Sequence, residues 1–120
     1  RIGRAAILWR ADLGARSLKG CDLAGAYLTW AYLGDSDLSE VNLVGAYLTG
    51  ATLTGANLKG ANLSGADLSG ANLWGADLSG VNLSETNMRG SFGDQNTRWP
   101  EGFDPLAAGV AVRKPSTGAG

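Results

Sequence analysis

Between Ala46 and Gly80 a block of five residues recurs seven times without a break: AYLTG ATLTG ANLKG ANLSG ADLSG ANLWG ADLSG. Self-similarity at a fixed short period decides architecture before any other reading of a chain. With the Leu of each block as its centre, the residue two before it is Ala in all seven blocks. On an extended backbone Ala and Leu point to one side and the residue between them to the other. Each block is therefore a short strand reading in, out, in. The next two residues must both face solvent before Ala turns inward again, which a straight strand cannot arrange. The chain has to bend there, and the Gly that closes each block tolerates the positive φ of a type II turn. A strand and a corner every five residues, bending always the same way, wind the chain around an axis lined by leucine.

The register extends from Ala6 to Gly90 as seventeen blocks, with centres at Leu8, Leu13 and so on in fives to Leu83, then Met88. The inward partner is Ala in eleven blocks and Arg16, Cys21, Ser36, Val41, Val81 or Thr86 in the others. Small residues are needed because leucine already fills the narrow interior. Burial of each Leu is worth about 1.5 to 3 kcal/mol, and neighbouring coils complete one another's backbone hydrogen bonds, so no coil is stable alone.

These blocks resemble the pentapeptide-repeat family, whose pattern is A(D/N)LXX, through most of the chain. The resemblance implies an all-β fold, a right-handed quadrilateral β-helix with four blocks per coil, here about four coils. The run Thr97, Trp99, Pro100, Gly102, Phe103 also resembles the segment that follows the array in many cyanobacterial members, and it leans the source toward cyanobacteria. The expected organisation is a lead-in over residues 1–5, the β-helix over 6–90, a C-terminal cap over 91–112 and a disordered tail over 113–120. The open end of a solenoid exposes core and an unpaired edge. Phe92, Trp99 and Phe103 are the expected plugs, with Pro100 and Pro105 fixing turns. Because the chain begins with Arg rather than Met, a fragment or a processed product is expected.

Two inward residues break the pattern. Arg16 is costly inside unless paired and is expected to snorkel toward the N-terminal end, to Asp12 or Asp35. Cys21 stands alone, so it cannot form an intramolecular disulfide and reads as a core filler.

Function must lie on the outside. With four blocks per coil, residues twenty apart stack on one face at about 4.8 Å. Ile7, Trp9, Tyr27, Trp30, Tyr32 and Tyr47 then converge on the N-terminal half of two adjoining faces. Clustered exposed aromatics mark contact surfaces, which makes Trp9, Tyr27, Trp30, Tyr32 and Tyr47 the candidate partner-binding residues. Asp22, Asn42, Asn62 and Asn82 should form a side-chain ladder between coils. Trp74 stands alone on the second face, and Asp35, Asp37 and Glu40 form a solvated acidic group.

Catalysis finds no support. There is no His, the single Cys faces inward and the carboxylates follow the repeat lattice, whereas acid/base work needs titratable groups in an enclosed site. No catalytic residue, cofactor or metal site is expected, since a His/Cys ligand set and a calcium-binding β-roll pattern are both missing. Ten Lys and Arg against eleven Asp and Glu give no electrostatic footprint for nucleic acid. No apolar run approaches eighteen residues, so no membrane span is expected; a cytoplasmic location is favoured. The sequence thus predicts a non-enzymatic structural or protein-interaction module, monomeric or weakly self-associating. The alternative is a DNA mimic that binds a type II topoisomerase such as gyrase, an activity the resemblance implies for some members. Mimicry needs a run of negative potential comparable with a phosphate backbone, which Asp alternating with Asn and Ser does not supply.

Overall fold

The computed structural model describes residues 4–113. Corners recur at every fifth residue and the middle residues of the blocks form parallel bridges twenty residues apart, from Ile7 with Tyr27 to Asn72 with Phe92. Four sides therefore make one coil. The four outward columns begin Ile7–Tyr27–Tyr47–Asp67, Asp12–Tyr32–Thr52–Asn72, Ser17–Asp37–Asn57–Asp77 and Asp22–Asn42–Asn62–Asn82.

The corners explain themselves through their hydrogen bonds. The first residue of a block donates back to the preceding Leu carbonyl, as Ala26 does to Leu23 at 3.0 Å and Ala51 to Leu48 at 2.9 Å. Together with a positive φ at the residue just before it, this is the type II turn expected from the Gly positions. That residue is Gly in most of the array, but Ala5, Arg10, Ala15, Trp30, Asp35, Glu40 and Glu85 hold the same left-handed conformation. For a residue with a Cβ the left-handed region costs about 1 to 2 kcal/mol. Apart from Ala5, which precedes the first block, and Glu85, these lie in the first two coils.

The other backbone amides pair between coils. The middle amide donates to the coil before, as Tyr47 does to Ala26 at 2.9 Å. The Leu amide and the fifth amide donate to the coil after, as Leu48 does to Asp67 at 2.8 Å and Gly50 to Ser69 at 2.9 Å. Only the amide of the fourth residue is left over. Every Asp or Asn in the middle position from Asp12 to Asn87 accepts that amide on its Oδ1, at 2.9 to 3.2 Å. This is the side-chain turn for which Asx residues are suited, and it completes the hydrogen bonding of the block. The expected inter-coil ladder is accordingly confined, among the described residues, to one rung, Asn42 Nδ2 to Asp22 Oδ1 at 3.1 Å. Asp22 Oδ1 accepts from both this rung and its own corner amide, whereas the Oδ1 atoms of Asn42, Asn62 and Asn82 accept only at their corners.

The lumen is dry. The twelve leucines from Leu23 to Leu78 are at most 1 % exposed, and the facing small residues are buried with them. Inward hydroxyls are satisfied by backbone carbonyls: Ser36 donates to Leu33 and Ser91 to Met88, each at 2.6 Å, and Thr86 donates to Leu63 of the coil before at 2.7 Å. Arg16 reaches solvent as expected, but without the expected counterion: its side chain is exposed, and among the described residues it makes no ion pair with Asp12 or Asp35. In the outermost coil the long stem reaches water directly, so no counterion is required. Cys21 is half-buried and packs against the core.

Beyond Gly90 the chain keeps winding. Strand β1, Phe92–Asp94, bridges Asn72 and pairs in parallel with β2, Ala111–Arg113. Arg98 then bridges Asp77, one residue out of the twenty-residue register. Phe92 does not plug the lumen. It occupies an outward middle position and meets Trp74 edge-on, with ring centroids 5.6 Å apart. The lumen is closed instead by Trp99, which stacks on Phe103 at 5.3 Å; both pack against the core. Gly93 stands where the repeat would place Leu, and a Cβ there would come 2.8 Å from the Trp99 ring. Trp99 fills the space that the missing leucine leaves. Arg113 closes β2 and lies 5.2 Å from the Trp74 ring centroid; the rest of the expected tail, 114–120, lies outside the described residues.

Candidate functional site

The outward aromatic residues fall into two groups. On the first face Tyr27 and Tyr47 stand in parallel, with centroids 4.9 Å apart and planes 4° from each other. The spacing is that of adjacent strands, so the stack follows directly from twenty-residue pairing. Exposed Ile7 continues the column toward the N-terminus. At the adjoining corner Trp9 and Trp30, 68 % and 61 % exposed, line with Arg10 and Thr29 a hollow of about 270 Å³.

Trp30 is the unusual member. Its φ is 61°, an outlier for so bulky a residue. Its ring lies over the corner of the next coil, where a Cβ on Gly50 would meet it at 2.6 Å. A side chain at position 50 would displace the indole, so glycine there is required by the tryptophan as well as by its own φ of 68°. Tyr32, although exposed, is not part of this cluster. It leans over Gly14 and Gly34 at the next corner, where added Cβ atoms would lie 2.4 and 2.5 Å from its ring and hydroxyl. Of the predicted set, Tyr27 pairs with Tyr47 and Trp9 lines one hollow with Trp30, while Tyr32 leans over a different corner.

Sequence reasoning overlooked what these tyrosines displace. Ile7, Tyr27 and Tyr47 stand where most blocks have Asp or Asn, so the amides of Trp9, Thr29 and Thr49 lose the side-chain acceptor they would otherwise have. Among the described residues none of the three has a hydrogen-bond partner. The signal was present in the sequence as a column of non-Asx middle residues. The carbonyls beside them are occupied, Thr29 by the amide of Arg10 at 3.1 Å and Thr49 by that of Trp30 at 3.0 Å. The hollow lined by Trp9, Arg10, Thr29 and Trp30 thus lies along the chain beside backbone amides that have no acceptor within the described residues.

Trp74 is covered by Phe92 and Arg113 rather than standing free. Among the described residues no three His, Cys, Asp or Glu side chains converge on a metal-sized site, and no helix is long and apolar enough to cross a membrane. Several aspartates are held below their ordinary range by the corner hydrogen bonds. For Asp37 and Asp67 the leading cause is the hydroxyl of Ser39 or Ser69, each 2.6 Å from the carboxylate. For Asp77 burial pushes upward but is outweighed by the hydroxyl and amide of Ser79, with Lys59 and Arg98 assisting.

A carboxyl whose pKa is lower in the folded state stabilises the fold above the unfolded value, about 3.9 for Asp, and loses that contribution as pH falls through the folded value. Stability should therefore hold from neutrality to about pH 4 and decline below it. Replacing Asp37, Asp67 and Asp77 by Asn keeps each Oδ1 acceptor and removes its titration. Thermal melts from pH 7 to 2 should show a shallower acid decline in this triple variant, with a slightly lower midpoint at pH 7. An unchanged acid limb would detach the pH response from these corners.

The family profile described as pentapeptide repeats matches residues 26–65 and 56–92, with eight copies. Among solved structures, the pentapeptide repeat protein Rfr23 from the cyanobacterium Cyanothece 51142 is 49 % identical with a TM-score of 0.77, over 78 % of this chain and 63 % of that one. The chain thus spans less than two thirds of Rfr23. The pentapeptide repeat protein alr5209 from Nostoc PCC 7120 is 38 % identical with a TM-score of 0.64, over 91 % of this chain and 82 % of that one. A pentapeptide repeat protein from the Arabidopsis thaliana thylakoid lumen is 34 % identical with a TM-score of 0.71, over 81 % and 61 % of the two chains. No curated protein sequence matches. With the profile covering more than half of the residues and two cyanobacterial relatives at 49 % and 38 % identity, the chain belongs to the pentapeptide-repeat family, whose fold is the right-handed β-helix.

Proposed function

We propose that this protein is a non-catalytic interaction module, a rod of about four coils whose first face and corner bind a protein partner. In this reading residues 6–90 carry the surface, residues 91–112 close it, and the rod acts as a monomer or a weakly associating unit. The observation that supports it is Trp30, 61 % exposed at a corner with φ 61°, where the following coils have Gly50, Gly70 and Gly90. An exposed indole gains little from packing, while its left-handed backbone costs about 1 to 2 kcal/mol. Backbone strain of this kind gathers at functional positions, and Trp, Tyr and Arg are the side chains that carry interface energy.

DNA mimicry has less behind it. The first two columns carry a single acid each, Asp67 and Asp12, among Tyr, Thr and Asn, and Lys59 pairs with Asp77 on the third at 3.9 Å. Continuous negative potential needs neither.

The test combines Tyr27→Ser, Trp30→Gly and Tyr47→Ser. The variant should keep the circular dichroism spectrum of the parent and lose the protein that the parent retains from a lysate of its source cells. Undiminished recovery by a folded variant would refute the assignment of this face.

A further inference from the structure

We propose that the hollow lined by Trp9, Arg10, Thr29 and Trp30, together with the exposed Tyr27–Tyr47 stack of the same face, takes a proline-rich segment in the polyproline II conformation, lying along the rod axis. The inference rests on the interaction-module reading and narrows it to one class of occupant. Its basis is the mismatch between donors and acceptors in the wall of this face. The amides of Trp9, Thr29 and Thr49 have no partner among the described residues, and the Arg10 guanidinium lines the hollow beside them. The backbone carbonyls of Thr29 and Thr49 are already occupied. A ligand backbone that fits such a wall offers carbonyl oxygens and few N–H groups of its own. Proline has no backbone N–H, so a proline-rich chain meets this condition where an ordinary strand would leave its own donors unpaired.

The spacing agrees. Polyproline II has three residues per turn and rises about 3.1 Å per residue, so carbonyls on one side of it recur at about 9.3 Å. The Trp9 and Thr49 amides are two coils apart, about 9.6 Å at strand spacing, so one side of the segment meets these two and leaves the Thr29 amide, one coil from each, to solvent. An extended strand repeats a side every two residues, about 6.8 Å, and matches neither one coil nor two. The remaining surface suits the same occupant, because pyrrolidine rings pack against flat aromatic faces, and Trp- and Tyr-lined grooves are how such segments are bound. A column of Asp or Asn at these middle positions would fill every donor and leave nothing to read. Ile7, Tyr27 and Tyr47 both expose the donors and build the wall.

The experiment follows the amide resonances of the full chain by ¹H–¹⁵N NMR during titration with three synthetic peptides: decaproline, a Gly-Ser decamer and deca-glutamate. Decaproline should shift Trp9, Thr29, Thr49 and the indoles of Trp9 and Trp30 saturably, and the other two should not. Tyr27→Asn with Tyr47→Asn installs an Oδ1 acceptor for Thr29 and Thr49. It should weaken decaproline about tenfold or more while keeping or raising the melting temperature, which separates lost binding from lost folding. Thr52→Asn caps Thr54 on the next face in the same way and should leave the titration unchanged.

A response to deca-glutamate alone would overturn the proline-rich occupant in favour of an acidic one. Concentration-dependent shifts without peptide, at the same residues and with no decaproline response, would replace it with a second copy of the chain. No response to any peptide would refute the proposal outright. In each of these cases the Ser/Gly variant that tests the aromatic face stands apart: if it still loses its partner, only the occupant proposed here has failed.

Discussion

Leu53→Ala lowers the unfolding free energy by about 2 to 5 kcal/mol, the range for removing a buried aliphatic side chain that its neighbours cannot collapse upon. Leu53 is 1 % exposed and sits between coils that repeat the same side chain, so no flexible neighbour is available to fill the void. The same change at half-buried Leu8, at the open N-terminal end, removes less contact and should cost about 1 kcal/mol. Urea denaturation of the two variants decides the matter. Equal losses would mean that the end coil is as tightly packed as the middle, or that the leucine ladder does not dominate stability.

The second large effect is at the other end. Trp99→Ala should cost about 3 kcal/mol or more, because the indole stacks on Phe103 and occupies the space over Gly93. The sharper form is a cycle with Gly93→Leu, which restores the repeat's own residue. Alone, that substitution drives a Cβ to 2.8 Å from the Trp99 ring and 3.1 Å from the Thr97 hydroxyl, and overpacking of this kind costs about 1 to 3 kcal/mol. Combined with Trp99→Ala it should be better tolerated than the sum of the two, since the new leucine enters the space that the indole has left. Additive losses in urea denaturation would show that Gly93 and Trp99 do not share one volume, and a negligible loss on Trp99→Ala would remove this closure of the lumen altogether.

What the sequence disclosed and what it concealed divide along a physical line. The leucine ladder, the small inward partners and the positive-φ corners depend on nothing beyond five residues and the alternation of an extended strand, and these were legible. So was the aromatic surface as a composition, since Tyr27 and Tyr47 stack once the pairing is twenty residues. The direction in which a surface side chain leans was not, and Tyr32 went to the neighbouring corner because Gly14 and Gly34 leave open backbone for its ring. Asn62 and Asn82 looked like rungs because they recur in register. Their oxygens instead serve the amides of Ser64 and Ser84 two residues on. At the cap, one extra residue before Arg98 shifted the register. That slip puts Trp99 at an inward centre while Phe92 stays outward, and no local pattern announces it. Arg16 broke an inward pattern without penalty because the outermost coil has water on one side.

The twenty-residue pairing also governs how such a chain can change length. Inserting twenty residues would add one storey and return every later side chain to the wall it already occupies. Inserting five would conserve each strand and corner yet carry everything downstream a quarter of the way round, so that half of a recognition wall would look in another direction. Duplication of whole storeys is thus the silent route to longer or shorter members, and a single pentad gained or lost is a change of surface disguised as a change of size.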